Sequence, residues 1–170
     1  MADMEQVLHF FANARFLRLL DEAGRRRLLA DAAALTFQDG ETVVREGDPG
    51  DALYIIVDGV AAVEADDMGT VRAVAELTDG SFFGEIGVIT DQPRSATVRA
   101  RGRLQVMRIP KDRVLEVLKD YPRVREMMAK VGVARTEDTM EKMSLAKDLS
   151  LSGEGVITDS EEPQADGEED

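Results

Sequence analysis

Apolar residues recur along this chain with two different periods, and the change between them divides it. Over residues 4–14, Met4, Val7, Leu8, Phe11 and Ala14 fall at helical spacing and predict a short amphipathic helix. Asp21 is placed to cap a second helix that runs to about Ala34, with Leu28, Leu29 and Ala32 facing inward. From Leu35 the pattern shifts to short apolar runs separated by Asp39-Gly40, Gly47-Asp48-Pro49-Gly50, Asp58-Gly59, Met68-Gly69, Asp79-Gly80 and Arg101-Gly102. Turn signals at this spacing predict strands near 35–38, 41–46, 52–58, 60–66, 70–77, 95–101 and 103–109, hence an all-β barrel or jelly roll. Ala96, Val98 and Ala100 alternate with Thr97, Arg99 and Arg101, which predicts one buried and one wet face. In 70–77, Val71, Ala73, Ala75 and Leu77 share a face, leaving Val74 out of phase and suited to contact with a ligand.

After Pro110 the helical period returns. Val114, Val117, Leu118 and Tyr121 define a helix over about 111–120, closed by Pro122, which disfavours helical geometry at the residue before it. A longer helix over about 123–149 carries two apolar stripes, first Val124, Met127, Met128 and Val131, then Val133, Thr136, Met140 and Met143. Two stripes suggest one face packed on the body and another meeting a partner helix, with a single broad buried face as the alternative. Past Ser150 the chain turns polar and acidic and is expected to be disordered. The organisation read from the pattern is an N-terminal amphipathic helix over 1–15, one domain over 16–149 and an acidic tail over 150–170.

Composition narrows the function classes. The net charge is −13, but eight acids and no base lie between Gly153 and Asp170, so the body is only mildly acidic. That balance argues against binding to nucleic acid or to an acidic membrane surface. There is no cysteine, the N-terminus carries acid where a signal peptide needs base, and the longest apolar run, Ala52 to Val57, is too short to span a bilayer. A cytoplasmic protein is expected. His9 is the single histidine, so a metal site built on imidazole or thiolate is not expected. Nor does any Ser/His or Cys/His arrangement support nucleophilic catalysis, so no enzyme is expected. Arg25-Arg26-Arg27 would diverge around a helix and reads as a solvated face.

The chemistry is concentrated in Phe82-Phe83-Gly84-Glu85-Ile86-Gly87-Val88-Ile89-Thr90-Asp91-Gln92-Pro93-Arg94-Ser95-Ala96. Gly84 and Gly87 let the backbone turn sharply, and Glu85 to Asp91 is long enough for a short helix whose first amides lack partners. Arg94 adds a planar fork for phosphate oxygens, with the Ser95 hydroxyl beside it. An ionised Glu85 only accepts hydrogen bonds, which suits a sugar hydroxyl rather than a phosphate. The bland reading is that Glu85 and Arg94 pair with each other at the rim of a sheet.

At these residues the chain resembles the phosphate-binding cassette of the cyclic-nucleotide-binding domain family, whose pattern is Phe-Gly-Glu-(Leu/Ile)-(Ala/Gly)-Leu followed by Pro-Arg-(Ser/Thr/Ala)-Ala. Only Val88 departs from it, where leucine is usual. Arg45-Glu46-Gly47-Asp48-Pro49-Gly50-Asp51-Ala52-Leu53-Tyr54 also reads like the domain's strand-turn-strand signature. The resemblance implies an eight-stranded type of antiparallel jelly roll, flanked by N-terminal helices and two C-terminal helices. It implies a cyclic nucleotide held by Phe83, Gly84, Glu85, Ile86, Gly87, Arg94, Ser95 and Ala96, with Glu85 on the ribose 2′-hydroxyl and Arg94, Ser95 and the amides after Gly84 on the phosphate. It further implies that Val63 and Val74 line the pocket and that Thr139 reaches the base. The expected protein is a stand-alone sensor, with cyclic AMP narrowly preferred to cyclic GMP, signalling to a protein partner or a second copy through 123–149. The alternative is a jelly-roll adaptor that binds another phosphorylated ligand or none.

Overall fold

The computed structural model describes residues 15–135. The expected helix at 4–14, the second stripe beyond Val133, Thr139 and the acidic tail lie outside the described residues. A 3-10 turn, Arg15–Leu19, precedes helix α1, Glu22–Leu29. Asp21 is its N-cap as expected, its carboxylate accepting the Gly24 N–H at 2.8 Å. The helix ends before Ala34 because Ala33 and Ala34 are taken into strand β1, Ala33–Phe37, opposite Arg108 and Met107. Ladder pairing there overrides the helical preference of alanine, as tertiary context commonly does.

The remaining elements are β2 (Thr42–Val44), β3 (Ala52–Asp67), β4 (Thr70–Leu77), β5 (Phe82–Phe83), α2 (Glu85–Ile89), β6 (Thr97–Pro110), α3 (Lys111–Leu118) and α4 over 122–135. The strands form an antiparallel sheet in the order β1-β6-β3-β4, with β2 also on β6 and β5 also on β3. The rolled antiparallel fold with flanking helices is the one expected, but its strands are fewer and longer. Asp58-Gly59 is not a hairpin turn: the register slips on either side of Asp58, so the extra residues are absorbed as irregularities within one continuous strand. Arg101-Gly102 likewise lies inside β6. Strand β5 is only two residues long, Phe82–Phe83, too short for alternation along the sequence to predict.

Alternation along β3 builds two cores. Leu53 and Ile55 face the helices and pack with Leu17, Leu28, Ile109, Val114, Val117 and Met128. Ala52, Tyr54 and Ile56 face the inside of the roll with Phe83, Val98, Leu104 and Val106. Fully burying one such aliphatic side chain contributes about 1.5–3 kcal/mol, so the two-sided burial of β3 fixes its register strongly. Helix α3 ends at Leu118, two residues sooner than expected, and Pro122 opens α4, where its missing N–H costs nothing. Val124 and Met128 of α4 are buried in the helix-side core, as the first apolar stripe predicts, while Val133 is 59% exposed.

Candidate functional site

Gly84 sets the geometry of the cassette. It caps α2 in the left-handed region at φ 90°, and a Cβ there would lie 2.3 Å from Arg94 Nη1 and 2.9 Å from the Ala52 carbonyl oxygen. Only glycine fits both the backbone conformation and the approach of the arginine. The chain then runs through α2, with the Val88 N–H donating to the Gly84 carbonyl at 3.3 Å, and returns at Arg94 beside it.

Glu85 and Arg94 are the buried charged residues among those described, at 3% and 5% exposure. A buried charge must be paired or hydrogen-bonded, and the two find separate partners. Arg94 donates to the Gly84 carbonyl at 3.1 Å, to the Ala52 carbonyl at 2.9 Å and to Asp51 at 3.3 Å, and its guanidinium lies 5.7 Å from the centre of the Tyr54 ring. Glu85 Oε1 instead accepts from Arg135 Nη1 of α4 at 3.0 Å. Arg135 also donates to the Phe82 carbonyl at 2.6 Å and lies over the Phe82 ring at 5.0 Å. The simple rim ion pair between Glu85 and Arg94 is therefore not what forms.

These groups border a cavity of about 330 Å³. Phe83, Gly84, Glu85, Ile86, Gly87, Arg94, Ser95 and Ala96 all line it. Away from the cassette the lining is mostly apolar, made by Val44, Val63, Ala65, Ala75, Leu77 and Val98 with the acids Glu46 and Asp66, and Arg135 closes on it from α4. Val63 lines the cavity. Val74 does not line the cavity: the ladder runs from Val63 opposite Ala75 to Glu64 opposite Ala73, so Val74 is the extra residue of an irregularity, buried but displaced. Past that irregularity the phase of β4 reverses, which puts Val71 and Ala73 outside and Ala75 and Leu77 on the cavity. The far end of the cassette is held to α3 by an ion pair between Asp91 and Lys111, and the ammonium keeps the Asp91 carboxyl below the usual range.

A buried guanidinium, a buried carboxylate and an apolar wall on one cavity can take a ligand with an anionic group, a hydroxyl and a flat apolar face. A family model for the cyclic nucleotide-binding domain matches residues 34–121. The chain belongs to that family. It is 39% identical over 108 residues to a cAMP-dependent protein kinase regulatory subunit of Dictyostelium discoideum, covering 61% of this chain and 33% of that protein. The chain thus spans about a third of the length of that curated relative, and less of others. Among solved structures, the regulatory domain of Toxoplasma gondii PKA with cAMP matches at a TM-score of 0.68 and 23% identity, covering 76% of this chain and 50% of that one. The Thermus thermophilus catabolite activator protein matches at 0.65 and 21%, covering 78% and 62%. These likenesses carry the fold.

Sequence reasoning missed Arg135, Glu46 and Asp66 on the lining of the cavity, and Asp51 as a partner of Arg94. Arg135 had a signal: with Val124, Met128 and Val131 it continues one helical face, and a charge at the end of a buried stripe needs a partner. Among the described residues no helix is long and apolar enough to cross a membrane, and no group of three or more His, Cys, Asp or Glu is placed to hold a metal.

Proposed function

We propose that this domain binds a cyclic nucleotide monophosphate in the cavity, with Arg94, Ser95 and the amides at the start of α2 on the phosphate and Glu85 on the ribose 2′-hydroxyl. The observation that carries this is the pair of separately held buried charges on one cavity: Arg94 fixed by backbone carbonyls, and Glu85 with a second carboxylate oxygen beyond the one given to Arg135. A guanidinium held this way presents its remaining donors without reorganisation, which favours a desolvated phosphate. The apolar wall suits the face of a base, and cyclic AMP is the narrow preference, in keeping with the regulatory-subunit relatives and with a cAMP-bound neighbour of the same fold.

The output runs through α4. Glu85 serves both the ligand and Arg135, so occupation of the cavity is felt by the helix that reaches a protein partner or a second copy through 123–149, with Thr139 near the base. Isothermal titration of the chain with cyclic AMP, cyclic GMP and 5′-AMP tests the reading. Tight binding of a cyclic nucleotide with much weaker 5′-AMP is expected, and no binding of either cyclic nucleotide would overturn it.

A further inference from the structure

One further arginine, Arg108, is linked to Arg94 through Asp51. Arg108 of β6 stands opposite Tyr54 in the β3–β6 ladder, and Tyr54 stands opposite Phe83 in the β3–β5 ladder. Phe83, Tyr54 and Arg108 therefore make one row across three strands. The rings of Tyr54 and Phe83 stack at 5.0 Å and 6°, and Arg94 lies over Tyr54. Asp51 joins the two cations: its Oδ1 accepts from Arg94 Nη2 at 3.3 Å and its Oδ2 from Arg108 Nη2 at 3.1 Å. The Tyr54 hydroxyl is the foremost cause holding the Arg108 guanidinium above its ordinary pKa, with Asp51 adding to it. Arg108 is thus tied to Arg94 by a shared carboxylate and by a shared ring.

A carboxylate facing Arg94 has two opposed effects. It orients the guanidinium, and it also cancels part of the charge that draws an anion into the cavity, because opposite charges a few ångströms apart offset each other's field. A second guanidinium on the other oxygen of that carboxylate removes the cancellation and keeps the orientation. We propose that Arg108 is a positioning residue of the phosphate site, engaging Asp51 so that Arg94 is held in place without losing its attraction for an anion. The proposal rests on the nucleotide reading above. The Asp51 side chain is 65% exposed and that of Arg108 32%, so solvent screens the coupling and its effect is moderate.

The test is isothermal titration of the full chain with cyclic AMP and cyclic GMP, comparing the parent with Arg108→Gln, Arg108→Lys, Asp51→Asn and the double variant Asp51→Asn/Arg108→Gln. Arg108→Gln is expected to weaken binding by about three- to fivefold, the upper range of an exposed ion pair, and Arg108→Lys to stay within about twofold of the parent. In the Asp51→Asn background, Arg108→Gln is expected to change affinity by less than about twofold, since the carboxylate through which it acts is gone. Thermal unfolding of the same proteins separates a loss of binding from a loss of fold, because a merely structural arginine would lower stability without a coupling that vanishes with Asp51. Parent-like binding by Arg108→Gln, or an equal loss in both backgrounds, would overturn this role alone. A parent that binds neither cyclic nucleotide would overturn the nucleotide reading and this role with it.

Discussion

Arg135 closes on Glu85, its Nη1 donating to Oε1 at 3.0 Å across fifty residues of sequence. The carboxylate is 3% exposed, and Arg135 brings α4 to it along with a second bond to the Phe82 carbonyl. Removing one partner of such a pair leaves an uncompensated buried charge, which costs more than the pair contributed. Because Arg135 is itself 32% exposed, the expected cost of Arg135→Ala is about 1–3 kcal/mol rather than the full buried-pair value. Urea unfolding measures it. The double variant Glu85→Gln/Arg135→Ala should recover part of the loss, and an additive double variant would show that the two side chains are not coupled.

On the ligand side, Arg94→Ala should lose about 2–5 kcal/mol of affinity for a cyclic nucleotide, since the phosphate would lose its charge partner in a desolvated site. Arg94→Lys should also fail badly, because an ammonium cannot reproduce a fork already held by Gly84 and Ala52. Glu85→Ala should cost about 1.5–3 kcal/mol and abolish discrimination against the 2′-deoxy nucleotide. Titration of the ribose and deoxyribose forms checks this, and equal discrimination by parent and variant would detach Glu85 from the sugar.

The cassette was legible because its chemistry is local. Glu85, Arg94, Ser95 and the glycines lie within fifteen positions, so the turn, the helix start and the family pattern they match could be read without long-range information. What was not legible depends on pairing between distant segments. Asp58-Gly59 has the composition of a hairpin turn, yet β6 runs unbroken alongside and the dipeptide becomes an irregularity in a strand. Strict alternation puts Val74 out of phase and so toward a ligand, whereas the phase itself changes at that residue and the cavity receives Ala75 and Leu77. Asp51 and Arg108 are separated by more than fifty residues, and only the register of β3 on β6 brings them together.

The junction of α3 and α4 is held to α1 by a hydrogen bond from the Tyr121 hydroxyl to the Asp21 carboxylate at 2.5 Å. Tyr121 and the Gly24 N–H hold the Asp21 carboxyl below its ordinary value, and Asp21 foremost holds the Tyr121 phenol above its own. The signs follow from which form each fold prefers. A depressed carboxyl gives stability that is present above its unfolded pKa, near 4, and is lost as pH falls through the lower folded value. A raised phenol gives stability present below its unfolded pKa, near 10, and lost as pH rises through the higher folded value. Tyr121→Phe should therefore flatten the pH dependence of unfolding at both extremes, below about pH 4 and above about pH 10, while changing its slope little between them. Thermal melts of the two proteins across that range check it, and parallel curves would assign the hydrogen bond no role in either limb.

The same α4 that carries Arg135 rests directly on the cassette, and the proposed output would pass through this contact. A Cβ at Gly132 would lie 3.1 Å from Ile86 Cγ1 and 3.5 Å from Glu85 Cγ, so the helix backbone sits against the first turn of α2. On the proposed reading, a change in how α2 holds a phosphate, or in how Glu85 divides itself between a hydroxyl and Arg135, would act on α4 first. A ligand shifts that packing only by its differential affinity for the two arrangements, and a tenfold shift requires about 1.4 kcal/mol. Nucleotide binding should accordingly change hydrogen-exchange protection over 122–135 more than over β3 and β6, whose side chains are fixed in two cores. Gly132→Val tests the contact independently of any ligand. Its branched side chain must displace Ile86 or lift the helix, at a cost of about 1–3 kcal/mol, whereas Gly132→Ala asks Ile86 to give by only a few tenths of an ångström and gains helical preference in return. The valine variant should lose protection over 122–135 without ligand and lose part of the ligand-induced change with it. Unchanged exchange in that helix, in the variant and at saturating nucleotide alike, would mean that α4 is a fixed support of the cassette and not its output.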